Sequence, residues 1–360
     1  MKSMLKKGKG KLLSIIVLCL CLCLSACSMN SSSTQYQNTG FAMGTVISQN
    51  IYSSDGEEIA AQVLDVIDEL EKTISWRIEG SDVANINEAA GSGKAVEVSE
   101  KTGLWLAECM DVYEKSGGKL DITVGAAARL WDIGGENPRI PEAEELAEAL
   151  ATVGCDKLVL EGTNVLYEQS GGQLDLGAVG KGIACDEIAE FLTGFGAEND
   201  IDINGTFSVG GSVLIYGSKP NGASWKIGIR DPRGEDGDYM GSLTFSQKEG
   251  ESIFVSTSGD YEKYFEEDGV RYHHILDPET GAPAQSDLIS VTVVSETGFL
   301  SDALSTACFV AGKEKAMELA EIFDVELVLI GKDGGVFLTE GAEEYFDLLS
   351  EEYSLENEEK

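Results

Sequence analysis

Histidine, proline and positive charge are all scarce in this chain. Two histidines, six prolines and 26 basic residues stand beside 63 acidic ones, for a formal charge of −37. So acidic a chain excludes general binding to nucleic acid, which needs basic groups to displace counterions. It also disfavours docking on anionic lipid by charge. The histidines are adjacent, His273 and His274. On a strand they face opposite ways and cannot both ligate one metal easily. No C-x-x-C spacing occurs among the eight cysteines, so neither a zinc site nor a redox pair is indicated. The apolar run Leu12–Leu24, interrupted only by Ser14, is too short for a comfortable membrane span.

The amino end has the three parts of an export signal. Met1–Lys11 carries five lysines and no acid, the apolar run follows, and small residues lead to Cys27. The Leu24-Ser25-Ala26-Cys27 ending resembles the bacterial lipobox. It implies a signal peptide over residues 1–26, cleavage before Cys27 and lipidation of its thiol. The expected location is the extracytoplasmic face of a cell membrane, held by lipid. Residues 27–40 are polar and read as a flexible tether. Cys109, Cys155, Cys185 and Cys308 sit in apolar settings and read as buried thiols.

No linker divides the rest. Residues 41–350 read as one α+β domain, and residues 351–360 as a solvated acidic tail. Phe41–Tyr52 reads as one strand, and Ile59–Ile74, Leu104–Tyr113 and Pro141–Val153 as helices. Strand texture dominates after residue 200, including Phe207–Tyr216 as one strand. Phe299–Ala311 and Lys313–Phe323 return to helix.

Four stretches could carry chemistry. Leu174–Glu190 reads as a short strand, a glycine turn and a helix, with Lys181 at the helix start. Unpaired N–H groups and a positive dipole end suit a phosphate there, although plain connection chemistry gives the same pattern. In Lys119–Gly125, Asp121 and Thr123 would share one face of a strand, or form a satisfied turn pair. In Ser301–Thr306, Asp302 and Thr306 are i and i+4 on one helix face, with Ser305 adjacent. A carboxylate with hydroxyls is hard oxygen chemistry suited to Mg²⁺; helix capping is the alternative. In Arg271–Pro278, one histidine faces the core or a cleft.

Read together, these segments resemble the ApbE family, the FAD:protein FMN transferases. The matching stretches are Phe41-Ala-Met-Gly-Thr45, Leu120-Asp-Ile-Thr-Val-Gly125, Asp175-Leu-Gly-Ala-Val-Gly-Lys-Gly182, Ser256-Thr-Ser-Gly259, Tyr272-His-His-Ile-Leu-Asp-Pro278 and Asp302-Ala-Leu-Ser-Thr306. They fall in the family's order from about Phe41 to Ile330.

The resemblance implies a single α+β, T-fold-related domain that takes FAD as substrate. It implies Mg²⁺ held by the Ala178 carbonyl, Asp302 and Thr306, with Ser305 near. It implies FAD contacts at Met43, Lys119, Leu120, Asp121, Asp175, Lys181 and Leu276. The reaction it implies is transfer of FMN to a Thr or Ser hydroxyl of an exported acceptor, with release of AMP. Typical acceptors are RNF- or NQR-type subunits or other extracellular flavoproteins. Lys181 and Asp302 would act on the phosphates, and His274 is the candidate general base. Trp76-Arg77 and Asn204-Gly205-Thr206 depart from the commoner pattern. An FAD pyrophosphatase and a non-catalytic FAD-binding lipoprotein are the alternatives.

Overall fold

The computed structural model describes residues 34–248 and 250–356. Residues 1–26, read above as a signal peptide, and Cys27 lie outside the described residues.

In chain order the strands and helices are β1 (Gln35–Ala42), β2 (Thr45–Tyr52), α1 (Gly56–Ile74), α2 (Asp82–Ala89), β3 (Val96–Glu97), α3 (Glu100–Ser116), α4 (Gly125–Trp131) and α5 (Ala143–Leu150). Then come β4 (Leu158–Glu161), β5 (Asn164–Tyr167), α6 (Gly180–Asn199), β6 (Asn204–Val209), β7 (Ser212–Tyr216), β8 (Trp225–Arg230), β9 (Tyr239–Phe245) and β10 (Ser252–Gly259). The chain continues through β11 (Tyr264–Glu267), β12 (Val270–His273), β13 (Leu288–Ser295), α7 (Gly298–Ala311), α8 (Lys313–Phe323), β14 (Glu326–Gly331), β15 (Gly335–Leu338), β16 (Phe346–Leu348) and β17 (Ser354–Leu355).

The centre is a sheet in the order β1-β2-β6-β7-β10-β13-β14-β15-β17. Its pairs are antiparallel except the last, where β17 runs parallel to β15. Leu214, Phe254, Val293 and Leu327 point into one core, shared with α1, α6 and α7. Their chain neighbours Ile215, Val255, Val294 and Val328 point into a second core, closed by β8, β9 and β16. Both faces of the central strands are thus covered, which is why they read as continuous apolar runs.

Several boundaries differ from the sequence reading. Gln35–Gly40, read as tether, belongs to β1. It pairs with β2 throughout, and its residues alternate between exposed and half-buried. Polar composition fits an edge strand with one wet face. Phe41–Tyr52 is therefore not one strand but the end of a hairpin. Met43 and Gly44 form its two-residue turn with φ of 50° and 68°. Both positive values match the mirror-image turn that suits strand twist. Phe207–Tyr216 is likewise a hairpin, turning at Gly210-Gly211. Pro141 precedes α5, which starts on a capping box of Glu142 and Glu145. The 351–360 tail is not wholly solvated. β17 joins the sheet, and the Tyr353 hydroxyl donates to Asp231 Oδ1 at 2.5 Å.

Candidate functional site

The start of α6 and the first turns of α7 meet at the centre of the site. Gly182 and Gly298 make that approach possible. A Cβ on Gly182 would lie 2.0 Å from the Gly298 carbonyl oxygen, and one on Gly298 would lie 2.2 Å from the Gly182 oxygen. The helices touch backbone to backbone, so a side chain on α7 reaches the free N–H groups of α6.

Asp302 does so. Its Oδ2 accepts from Gly182 N–H at 3.0 Å, and its Oδ1 accepts from Lys181 Nζ at 2.8 Å and Ser212 Oγ at 3.3 Å. The residue is 1% exposed. A charge so buried requires this many partners. The Gly182 N–H would ordinarily serve the Ala178 carbonyl in a continuing helix. Here it turns to Asp302, and among the described residues no backbone or side-chain donor reaches the Ala178 oxygen.

Thr306 lies one turn along α7, half-buried. Its hydroxyl belongs to a chain whose proton order can be deduced. Ser305 donates to the Asp302 carbonyl at 2.8 Å, so it accepts from Ser258 Oγ at 2.7 Å. Ser258 then has no proton left for Thr306 and accepts from it at 3.3 Å. The Thr306 oxygen keeps its lone pairs free. Ser305 is fully buried and committed within this chain, so it supports Thr306 and is not itself presented.

A carboxylate, an unclaimed carbonyl and a hydroxyl with free lone pairs are hard oxygen donors. They fit a Mg²⁺ ion that keeps waters and shares itself with phosphates. No cluster of three or more His, Cys, Asp or Glu suited to a metal occurs among the described residues. An ion here would depend on this sparse set.

The rim is built from distant segments. Met43 packs on the helix start: a Cβ on Gly180 would lie 3.2 Å from Met43 Cε. Its N–H donates to Glu71 Oε2 at 2.9 Å, which holds the hairpin tip against α1. Asp175 receives the Gly177 N–H at 2.8 Å, and its own N–H donates to the Ile122 carbonyl at 2.8 Å. That bond ties the α6 approach to the 119–124 segment.

The 119–124 segment is not a strand. Asp121 Oδ1 accepts from Thr123 N–H at 2.8 Å and Oγ1 at 2.5 Å, and Cys155 Sγ lies 3.3 Å away. This is the satisfied turn pair. Burial pushes the Asp121 carboxyl up, against those hydrogen bonds. The side chains of Leu120 and Asp121 are buried, so their contacts to a ligand would come through backbone. Lys119 is more open, with Nζ 3.9 Å from Glu279 Oε2. Leu276 is buried against Trp131.

The histidines separate at the end of β12, where His273 is the last strand residue and His274 lies just beyond it. His273 points inward: Nε2 is 3.1 Å from the Ala284 carbonyl, and the ring meets Phe309 edge-on. His274 reaches solvent. It nevertheless sits among dense surroundings that push its pKa below the ordinary range, helped by the Lys181 and Lys263 charges. The ring is therefore neutral at pH 7.

The sequence reading did not find Ser212, Asp186 or Glu71, and it gave Ser258 no role. Each acts across a separation of 28 residues or more. No local pattern marks such contacts.

Residues 43–329 match the ApbE family model. The FAD:protein FMN transferase of Treponema pallidum is 33% identical over 348 residues, which cover 92% of this chain and 94% of that protein. The Haemophilus influenzae protein of the same name is 30% identical, covering 84% and 88%. Among solved structures, the ApbE protein of Thermotoga maritima superposes with a TM-score of 0.78 at 33% identity, over 87% of this chain and 99% of that one. The flavin transferase ApbE of Vibrio cholerae gives 0.75 at 26% identity, with the same coverage. With the match spanning the helix junction and most of its rim, the chain belongs to the ApbE family.

Proposed function

We propose that this protein is a transferase that moves FMN from FAD to a Thr or Ser hydroxyl of an acceptor protein and releases AMP. The observation that carries the reading is the junction of α6 and α7. There Lys181 pairs with Asp302 at the start of α6, and Thr306 stands one turn along α7 with its lone pairs free, a set suited to a metal-bound pyrophosphate. Relatives that align over more than four-fifths of this chain carry the name of that activity.

The chemistry follows from these groups. The acceptor hydroxyl attacks the phosphorus on the FMN side of the pyrophosphate. A new P–O bond forms to the acceptor, and the P–O bond to AMP breaks, so AMP leaves with the bridging oxygen. The acceptor proton goes to an imidazole nitrogen of His274, which is neutral at pH 7, although its lowered pKa makes it a weak base in the free protein. Lys181 offsets charge on the departing phosphate. Mg²⁺, held by the Ala178 carbonyl, Asp302 and Thr306, would supply further charge neutralisation on the phosphates. Met43, Lys119, Asp175 and the backbone of residues 120–121 would line the remainder of FAD. Cys27 would carry the lipid, which the lipobox-like Leu24-Ser25-Ala26-Cys27 supports, and the acceptor would be an exported flavoprotein, of RNF or NQR type by family resemblance.

The test is AMP release from FAD with Mg²⁺, with and without a membrane extract, followed by in-gel flavin fluorescence. AMP with a fluorescent protein band is the expected result. AMP with free FMN alone would make the protein a pyrophosphatase. Bound FAD without AMP would overturn the enzymatic reading. In the same assay His274→Ala should lower turnover by about 10²–10⁴-fold while FAD affinity holds. Normal turnover would remove the base role.

A further inference from the structure

We propose that Asp186 is a positioning residue: its carboxylate locks the start of α7 onto α6 and so sets where Asp302 and Thr306 stand relative to Lys181 and Ala178. Oδ1 accepts from Gly298 N–H at 2.7 Å and Oδ2 from Phe299 N–H at 2.7 Å. These are the first two amides of α7, which lack partners within their own helix. The local cap, Thr297, reaches only Leu300 N–H, at 3.3 Å. The start of α7 is therefore held chiefly from α6.

The arrangement is reciprocal. Asp186 stands on α6 and receives the first amides of α7. Asp302 stands on α7 and receives the Gly182 amide of α6 at 3.0 Å. The glycine contact between Gly182 and Gly298 lies between the two clamps. The glycines set how closely the helices approach, with only the Asp302 and Cys185 side chains beside them at the crossing. Two opposed carboxylates fix the register. Loss of Asp186 frees one end of α7, and Asp302 and Thr306 move with it.

The geometric part stands on the contacts alone; the functional part rests on the reading of Asp302 and Thr306 as metal-binding. The test therefore uses two readouts on the full-length protein carrying Asp186→Asn. Asparagine keeps the size but turns one acceptor into a donor that opposes an N–H. Hydrogen-exchange mass spectrometry of peptides spanning 179–186 reports the Gly182 amide, and electron paramagnetic resonance of added Mn²⁺ reports metal affinity. We expect exchange at least tenfold faster and Mn²⁺ affinity at least tenfold weaker. Unchanged exchange overturns the proposal. Faster exchange with unchanged Mn²⁺ affinity also overturns it, leaving Asp186 a plain helix cap. If the wild type binds no Mn²⁺, the metal reading fails and exchange alone decides the clamp. If Asp186→Asn does not fold, Asp186→Glu, which keeps the charge but displaces it, takes the same readouts.

Discussion

His273, the last residue of β12, and His274, just past it, illustrate how much one position along the chain decides. Burial lowers the pKa of His273, and its Nδ1 has no partner among the described residues. The folded state holds this ring neutral where the unfolded chain is protonated. Its stabilising contribution is thus present above the ordinary histidine value, about 6.5, and is lost as pH falls from there toward the folded pKa. Asp186 acts in the opposite sense. Desolvation raises its pKa to about 6, so acidification through that value favours the fold. Comparing urea midpoints at pH 7 and pH 5 separates the two. His273→Gln retains the Asp186 contribution, so it should lose less stability on acidification than the wild type. An equal loss in both proteins would refute the assignment. At the active cleft, Asp302 and Thr306 were legible as an i, i+4 pair, because helical spacing is local. Ser258, which orients Thr306, was not legible, because its strand is 48 residues away.

Two glycines in α6 separate packing from propensity. Gly182 has no room: a Cβ would meet Gly298 O at 2.0 Å and Asp302 Cβ at 2.7 Å. Gly182→Ala forces the α6–α7 contact apart and should cost about 1–3 kcal/mol or more, with loss of FAD turnover. Gly194 in the same helix is exposed, with open space where a Cβ would go. Gly194→Ala should stabilise by roughly 0.4–1 kcal/mol, because alanine loses less backbone entropy on folding. Chemical denaturation of both variants checks the pair; a stable Gly182→Ala would mean the helices tolerate wider separation. The β1–β2 hairpin shows a different limit of local reading. Its turn, Met43-Gly44, lacks the Asn-Gly or Asp-Gly signal. The left-handed Met43 is held instead by Glu71 from α1 and by contact with Gly180.

At the level of the molecule, both ends of the described segment, Gln35–Ala42 and Ser354–Leu355, are part of the fold. β1 forms one edge of the central sheet and β17 the other. Tyr353 is buried and bonds to Asp231, which also accepts from Arg233 N–H and Gly234 N–H. Arg233 in turn forms a two-pronged pair with Asp260, two residues beyond Ser258. Truncation after Leu349 removes both Tyr353 and β17. It should cost at least about 2 kcal/mol in urea unfolding, by loss of a buried aromatic and its hydrogen bond. An unchanged midpoint would return residues 351–360 to the role of a solvated tail. The four cysteines outside the amino-terminal region are free and buried, as their apolar settings suggested.

Local information in the sequence settled the α+β class, most helices and the central strands. These depend on apolar periodicity, on runs long enough to be covered on two faces, and on glycine at a helix start. It also supplied the order of motifs that identifies the family. The polar edge strand Gln35–Gly40 escaped because half of it faces water and carries no apolar signal. The turn at Asp121 and Thr123 was decided by hydrogen bonds within the segment and by burial against Cys155. The junction itself needed the fold. Lys181 and Asp302 lie 121 residues apart, and Asp186 and Gly298 lie 112 apart. Only packing of α6 on α7 through two bare glycines brings the carboxylates to the opposing helix starts, where otherwise unpaired amides can receive them.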